Sequence, residues 1–405
     1  MKIKSSGNFK DSKIWKLALR ENEKLKNNKK AFMFLFLVPI IYTLLFGFLY
    51  SPHVVNNIST AIVNKSPSQL TRTIESGFEK VDRFSVNYYL DDEDAGLDLM
   101  NKGDIDVLLV IPEGFTENIK LGNQDNILIG INGSNSIIGN SASSSAMQIV
   151  KTYSAGISLK KLEGGGLSET EAMGKVSPIS SSFRPWFNPQ YSYVNYLLLG
   201  IVGVALQQII LMSSANSFAR EREEGTFTEL LDEGYGIFEI VAGKGFYYFA
   251  SGMFSLMTSY LVAFLVFKIP IRGQIFWIIP LGALFYISVI AGGLIIALYS
   301  RNQVESIQIS MLLAYPTFLL SGYTWPKAGM PKLVAWAGEA LPLTHFAENV
   351  RKLALAGGDF GMLKWDVLSL VILGLIYVTA ALFLYRRRLI NEGYERYMEN
   401  RPARV

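Results

Sequence analysis

Residues 219–234 read AREREEGTFTELLDEG, with five consecutive charged residues, Arg220, Glu221, Arg222, Glu223 and Glu224, placed just after an uncharged apolar stretch. The chemistry open to such a run is ion pairing and polar docking. Behind it, Phe227, Leu230 and Leu231 recur at helical spacing, with Gly225 between as a bend. A short amphipathic helix of this kind suits contact with a soluble partner. A solvated turn is the plainer reading of a bare charge run.

Other chemistries find little support. The two histidines, His53 and His345, are too few for a metal cluster, and each reads as an interfacial polar residue. The chain has no cysteine, which excludes thiolate metal sites, disulfides and thiol redox chemistry. The acidic run Asp91, Asp92, Glu93, Asp94 lacks the Gly turn and terminal Glu of a calcium loop, and reads as a helix start. Three glycines at 164–166 suggest a phosphate loop, but Glu169 stands where the Walker spacing needs a Gly before Gly174. The Gly, Ser and Pro-rich segment 164–185 therefore reads as a connector. No catalytic, cofactor-binding or metal-binding residue is expected, nor a nucleic-acid partner.

The elements that must hold the charged run follow from composition. Of 405 residues, 50% are hydrophobic and only 18% charged, which is the balance of a membrane protein. Uncharged blocks lie at about 31–50, 191–216, 246–267, 274–299, 306–322 and 367–385, each near the ~20 residues that a bilayer-crossing helix needs. Six transmembrane helices are expected, the fifth interrupted by Pro316. Residues 1–30 hold ten Lys or Arg against three acids, and Arg386, Arg387 and Arg388 end the last block. Both termini are expected in the cytoplasm of a bacterial inner membrane, with 1–30 and 386–405 as cytoplasmic segments and the first block an uncleaved span. Residues 52–190 then lie outside, as does 323–366, where Trp325, Trp336, Pro326, Pro331 and Pro342 suit short segments dipping into the outer interface.

Between residues 57 and 162 the pattern becomes that of a small α/β domain. NISTAIVN, FSVNYYL, IDVLLVIP and NILIGIN read as strands; LTRTIESGF and EDAGLDLMNKG read as helices, and a long helix follows from Ala142. The six blocks hold no ionisable residue, so ion-driven transport has no stations within them. Asn195, Gln207, Gln208 and Gln308 are the main polar side chains there, and they suit either helix-to-helix hydrogen bonds or a substrate path.

EREEGTFTELL resembles the coupling-helix signature of ABC exporter permeases of the type II class. The external stretch SGYTWPKAGMPKLVAWAGEALPLTHFAENVRKLAL is similar to that family's last outer loop, through Gly322, Pro326, Met330, Pro331, Trp336, Pro342, Leu343, Thr344 and Arg351. NISTAIVNKSPSQLTRTI and LMNKGDIDVLLVIPEGF resemble the domain between spans one and two in the subgroup with large external insertions. The family's Pro after the coupling Leu pair is replaced by Asp232, Glu233 and Gly234. The resemblance implies an α-helical polytopic permease with an inserted extracytoplasmic α/β domain, and a five-helix region 191–385 carrying a coupling helix at about 217–232.

In that reading Arg220, Glu221, Arg222, Glu223, Glu224 and Thr226 belong to the contact with a separate ATPase subunit. Gly225 is the bend, and Phe227, Leu230 and Leu231 form the apolar side. ATP and Mg belong to the partner and no cofactor to this chain. The other implied partners are a second permease half, in a homo- or heterodimer, membrane lipid and a periplasmic adaptor. The substrate is hydrophobic or amphipathic: a lipid, a drug or a peptide. A membrane-anchored receptor or assembly scaffold explains the external domain equally well but leaves the coupling-like stretch unexplained.

Overall fold

The computed structural model describes residues 12–51, 55–176, 188 and 192–391. His53 and much of the expected connector lie outside the described residues. Two units emerge, 52–184 and the remainder.

The larger unit opens with α1 (Lys13–Asn27), α2 (Lys29–Phe36) and α3 (Val38–Leu49). Ser12 caps α1, and the Asn28 side chain accepts from the Ala31 N–H to start α2. One face of α1 buries Leu17, Ala18, Glu21 and Leu25. α2 and α3 meet at 43°. Pro39, in the first turn of α3, lacks the N–H that would bond the Leu35 carbonyl; the Ser255 hydroxyl donates to that carbonyl instead, at 3.0 Å.

The smaller unit runs β1 (Ile58–Asn64), α4 (Gln69–Glu79), β2 (Phe84–Leu90), α5 (Glu93–Lys102), β3 (Val107–Ile111), α6 (Phe115–Leu121), β4 (Leu128–Ile131), α7 (Ser136–Gly164) and α8 (Glu169–Val176). Its sheet has the order β2-β1-β3-β4, parallel except for β4. Strand alternation divides the side chains between two layers. Ile62, Val107 and Leu109 pack with Ile74 and Phe78 of α4 and Ala146 of α7, whereas Val63, Leu108 and Val110 meet Leu99 and Met100 of α5. Gly103 ends α5 in the left-handed conformation, as its position in the sequence implies.

The larger unit resumes with α9 (Tyr193–Glu223), α10 (Thr226–Asp232), α11 (Ile237–Val266), α12 (Ile278–Tyr299), α13 (Gln303–Leu320), α14 (Lys332–Glu339), α15 (Pro342–Leu355) and α16 (Phe360–Asn391). α9 is the hub, packed against α3, α11, α12, α13 and α15. Gly293 lets α12 approach closely: a Cβ there would lie 2.2 Å from Ser214 Oγ.

Six spans are expected from sequence, and the structure is more reserved. By length and composition four helices among the described residues suffice, α9, α11, α12 and α16, and a fifth if α2 and α3 form one bent span. The expected fifth span is α13, continuous through Pro316 but with 18 residues only about 27 Å long and polar at its start, with Gln303, Glu305 and Gln308. Within the expected outer loop, Pro342 starts α15 at its first turn, and Trp325, Leu333 and Trp336 are exposed around α14.

Candidate coupling surface

The charged run closes α9, whose last turns continue straight out of the apolar stretch as far as Glu223. Gly225 then adopts φ +72, a left-handed conformation that favours glycine, and turns the chain into the short α10. Gly225 is thus the bend.

Four successive side chains at this corner reach four different helices. Arg220 Nη2 donates to Glu21 Oε1 of α1 at 2.9 Å. Glu221 Oε1 lies 2.8 Å from Lys244 Nζ of α11 and 3.0 Å from Lys24 Nζ of α1, while its other oxygen accepts from Thr226. Arg222 donates to the carbonyls of Ala297, Leu298 and Ser300, where the end of α12 leaves them without helical partners. Glu223 Oε2 accepts from the Gln303 N–H at 2.7 Å, a carboxylate on the amino end of α13.

Beneath the run is a buried charge cluster. Glu21, only 2% exposed, binds Lys244 at 3.1 Å through one oxygen; the other accepts from Arg220, Ser217 at 2.7 Å and Tyr248 at 2.9 Å. Burial alone would raise the pKa of Glu21, but Lys244 and Arg220 outweigh it and hold the carboxyl at about 2. The group stays ionised, and every charge in the cluster has an opposite neighbour.

The apolar side of α10 faces inward. Leu230 and Leu231, expected to seat against a partner, are buried with Leu17 of α1 and Ile240 of α11, and Phe227 packs edge-on to Tyr385 of α16 at 5.9 Å. Physical necessity explains the correction: a seven-residue helix does not hold its shape in water, and these leucines anchor it. What remains exposed at the corner is acidic and polar, Glu223, Glu224, Thr228, Glu229, Asp232 and Glu233, with Arg20 of α1 paired to Glu233 at 3.2 Å.

Glu21 and Lys244 were legible only in part. Glu21 sits in register with Leu17 and Leu25, so a carboxylate on an apolar face was the available signal. Lys244 stands just before the uncharged block at 246–267 and so reads as an ordinary basic flank.

The polar residues of the expected path do not converge. Gln207 is buried and donates to Thr317 of α13 at 3.4 Å, a helix-to-helix bond. Among the described residues, Gln208 has both amide atoms buried with no hydrogen-bond partner, as has Asn216 its carbonyl oxygen. Asn195 is half-buried in the first turn of α9, and Gln308 is exposed on α13. A cleft of about 830 Å³ opens beside Asn216 and Arg220, with Lys24, Lys30, Glu224 and Gln303 around it. At the opposite end of α9, the Arg351 guanidinium lies 5.3 Å from the ring centres of both Tyr196 and Tyr323. His345, expected at an interface, is instead buried, with Asp366 and the Glu339 carbonyl each 3.0 Å from a ring nitrogen.

A family model described as ABC-2 family transporter protein matches residues 29–383. The chain belongs to the ABC-2 transporter family. This ABC-2 chain is 25% identical over 295 residues to the probable multidrug ABC transporter permease YbhS of Escherichia coli (strain K12), covering 72% of this chain and 75% of that one. It is 24% identical over 386 residues to the inner membrane transport permease YhhJ of the same strain, covering 93% and 97%. It is also 26% identical over 192 residues to ABC transporter G family member 20 of Dictyostelium discoideum, covering 47% of this chain and 26% of that one. The ABC-2 chain is therefore a multi-pass membrane permease subunit of an ABC transporter, a transport component whose ATPase is a separate partner. α1, which supplies Glu21, precedes the matched residues.

Proposed function

We propose that the chain is the membrane half of an ATP-driven exporter, two halves forming the path and two ATPase subunits driving it, with the corner from Arg220 to Leu231 as the coupling element. The observation that carries this reading is the fan of contacts from Arg220, Glu221, Arg222 and Glu223 to α1, α11, α12 and α13. A push on α10 is delivered to all four helices at once, because charged hydrogen bonds resist stretching and their partners lie on separate rods. A receptor or scaffold has no use for such a fan.

In this reading the ATPase meets an acidic face, Glu224, Glu229 and their neighbours, while Leu230 and Leu231 fix α10 to the permease. ATP and Mg are handled in the partner. The chain crosses a bacterial inner membrane six times with both termini cytoplasmic, α13 serving as the fifth span. The α/β unit is extracytoplasmic, where a periplasmic adaptor has access to it. The substrate is a hydrophobic or amphipathic compound, in keeping with the multidrug description of YbhS. The cleft beside Asn216 and Arg220 is the proposed entrance, and the unpartnered amide of Gln208, two turns deeper along α9, offers polar contacts to the cargo.

The test replaces Glu224 and Glu229 together by Lys. Both are exposed, so folding should change by no more than about 0.5 kcal/mol per site. Copurified ATPase and substrate-stimulated ATP hydrolysis are expected to fall at least tenfold. Unchanged binding and stimulation would remove the acidic face from the coupling surface.

A further inference from the structure

At the same end of the bundle as the coupling corner, α11, α12 and α16 enclose an apolar groove of about 390 Å³. Phe238 and Phe246 of α11 stand exposed along it, Ile290 and Leu294 of α12 form its back, and Val378 of α16 forms the opposite wall. The groove exists because its lining is small where the helices meet. At Gly245 an added Cβ would touch only Ile290 Cγ2, at 3.8 Å.

A narrower cavity continues from it, sharing Phe218 and Leu294, and ends at Arg222 and Arg388. Arg386 and Arg387 are exposed beside Arg388. An apolar channel closed at one end by cations complements a molecule with a hydrocarbon tail and an anionic head. The first twelve residues of the groove wall on α11, from Phe238 to Phe249, span about 17 Å, which accommodates most of an acyl chain.

We propose that this groove binds an anionic phospholipid of the cytoplasmic leaflet, one acyl chain between α11, α12 and α16 and the phosphate at Arg388 beside Arg222. The leaflet assignment rests on the topology proposed above; the binding itself does not. Because Arg222 also holds the end of α12, the lipid occupies the back of the coupling corner and ties α16 to it.

The experiment is native mass spectrometry of the purified full-length chain in mild detergent, titrated with phosphatidylglycerol or phosphatidylcholine, without ATP or ATPase. Wild type should retain phosphatidylglycerol in preference by roughly fivefold or more, the gain expected from one basic residue at an anionic headgroup. Gly245→Leu fills the groove and should abolish retention of both lipids. Arg388→Gln should leave retention but erase the headgroup preference. Should Gly245→Leu unfold the chain, Ala242→Leu on the same wall carries the same expectation. Equal retention of the two lipids by wild type, or retention untouched by the groove-filling variant, would overturn the proposal. A failure of the topology reads out separately, through the sidedness of cysteine labelling at the coupling corner.

Discussion

Glu21 and Lys244 are 223 positions apart in the chain and 3.1 Å apart in space, both nearly without exposure. The pair joins the segment before the first apolar stretch to the base of α11, and Arg220 and Glu221 close it into a network. Removing one member leaves an uncompensated buried charge, whereas removing a matched pair does not.

Glu21→Ala should therefore destabilise the larger unit by about 3–5 kcal/mol, and Glu21→Leu combined with Lys244→Met should cost clearly less. Thermal unfolding of the purified variants measures both. The pH dependence has a defined sign: the folded carboxyl titrates near 2 against an ordinary 4.5, so its stabilisation is present above 4.5 and lost as pH falls toward 2. Glu21→Gln should flatten the acid limb of the stability curve; an unchanged acid limb would dissociate the cluster from stability.

His345 gives the opposite slope. Burial opposes its protonation, but Asp366 and the Glu339 carbonyl at its two nitrogens prevail and raise its pKa above 6.5. The Glu339 carboxylate, 3.6 Å from Nε2, and then Glu348, Lys352 and Lys327 complete the charges around it. Stabilisation is full below 6.5 and disappears as pH rises through the raised value. Unfolding temperature should fall across the neutral to alkaline range in the parent and stay level in His345→Gln.

Arg351 lies beside a stacked pair of tyrosines, Tyr196 of α9 and Tyr323 between α13 and α14, its guanidinium 5.3 Å from each ring centre and the rings 6.0 Å apart. Each contact of this kind contributes about 0.5–2 kcal/mol. Arg351→Met should loosen the segment between α13 and α14, read as faster hydrogen exchange in residues 321–331 with little change in the α/β unit. Equal exchange in variant and parent would count the contact as idle.

Sidedness can be tested in a chain that has no cysteine of its own. Ser217 is an unsuitable reporter because it is buried in the charge cluster, but Thr228 and Ser134 are exposed. In intact cells an impermeant thiol reagent should label Ser134→Cys and spare Thr228→Cys. Labelling with the reverse preference would invert the topology.

The strands of the α/β unit and its first two helices were legible, because strand alternation and Gly103 are local signals, but α6 was missed, α7 begins at Ser136 rather than Ala142, and α8 lies in the segment read as a connector. β2 spans the same seven residues, Phe84–Leu90, that read as a strand. The apolar helices were legible for the same reason. The charged corner from Arg220 to Leu231 was legible as a bend between two helices but not as an arrangement: spacing marks Leu230 and Leu231 as one face and cannot say that the face turns inward. That depends on α1, more than two hundred residues away, whose basic character masked the carboxylate of Glu21. α13 fell between categories, its polar first turns diluting an otherwise apolar run.

The hydrogen bond from Ser255 to the Leu35 carbonyl acts as a kinematic constraint. A helix with a complete ladder can rotate about its axis or slide along a neighbour at small cost. At the break before Pro39, α2 offers a carbonyl that Ser255 of α11 satisfies, deep in an apolar surrounding where water is no substitute. Rotation of the first apolar segment by itself would strand that oxygen. The bond therefore couples α2 and α3 to α11, and a displacement at the base of α11 is expected to draw the first segment with it.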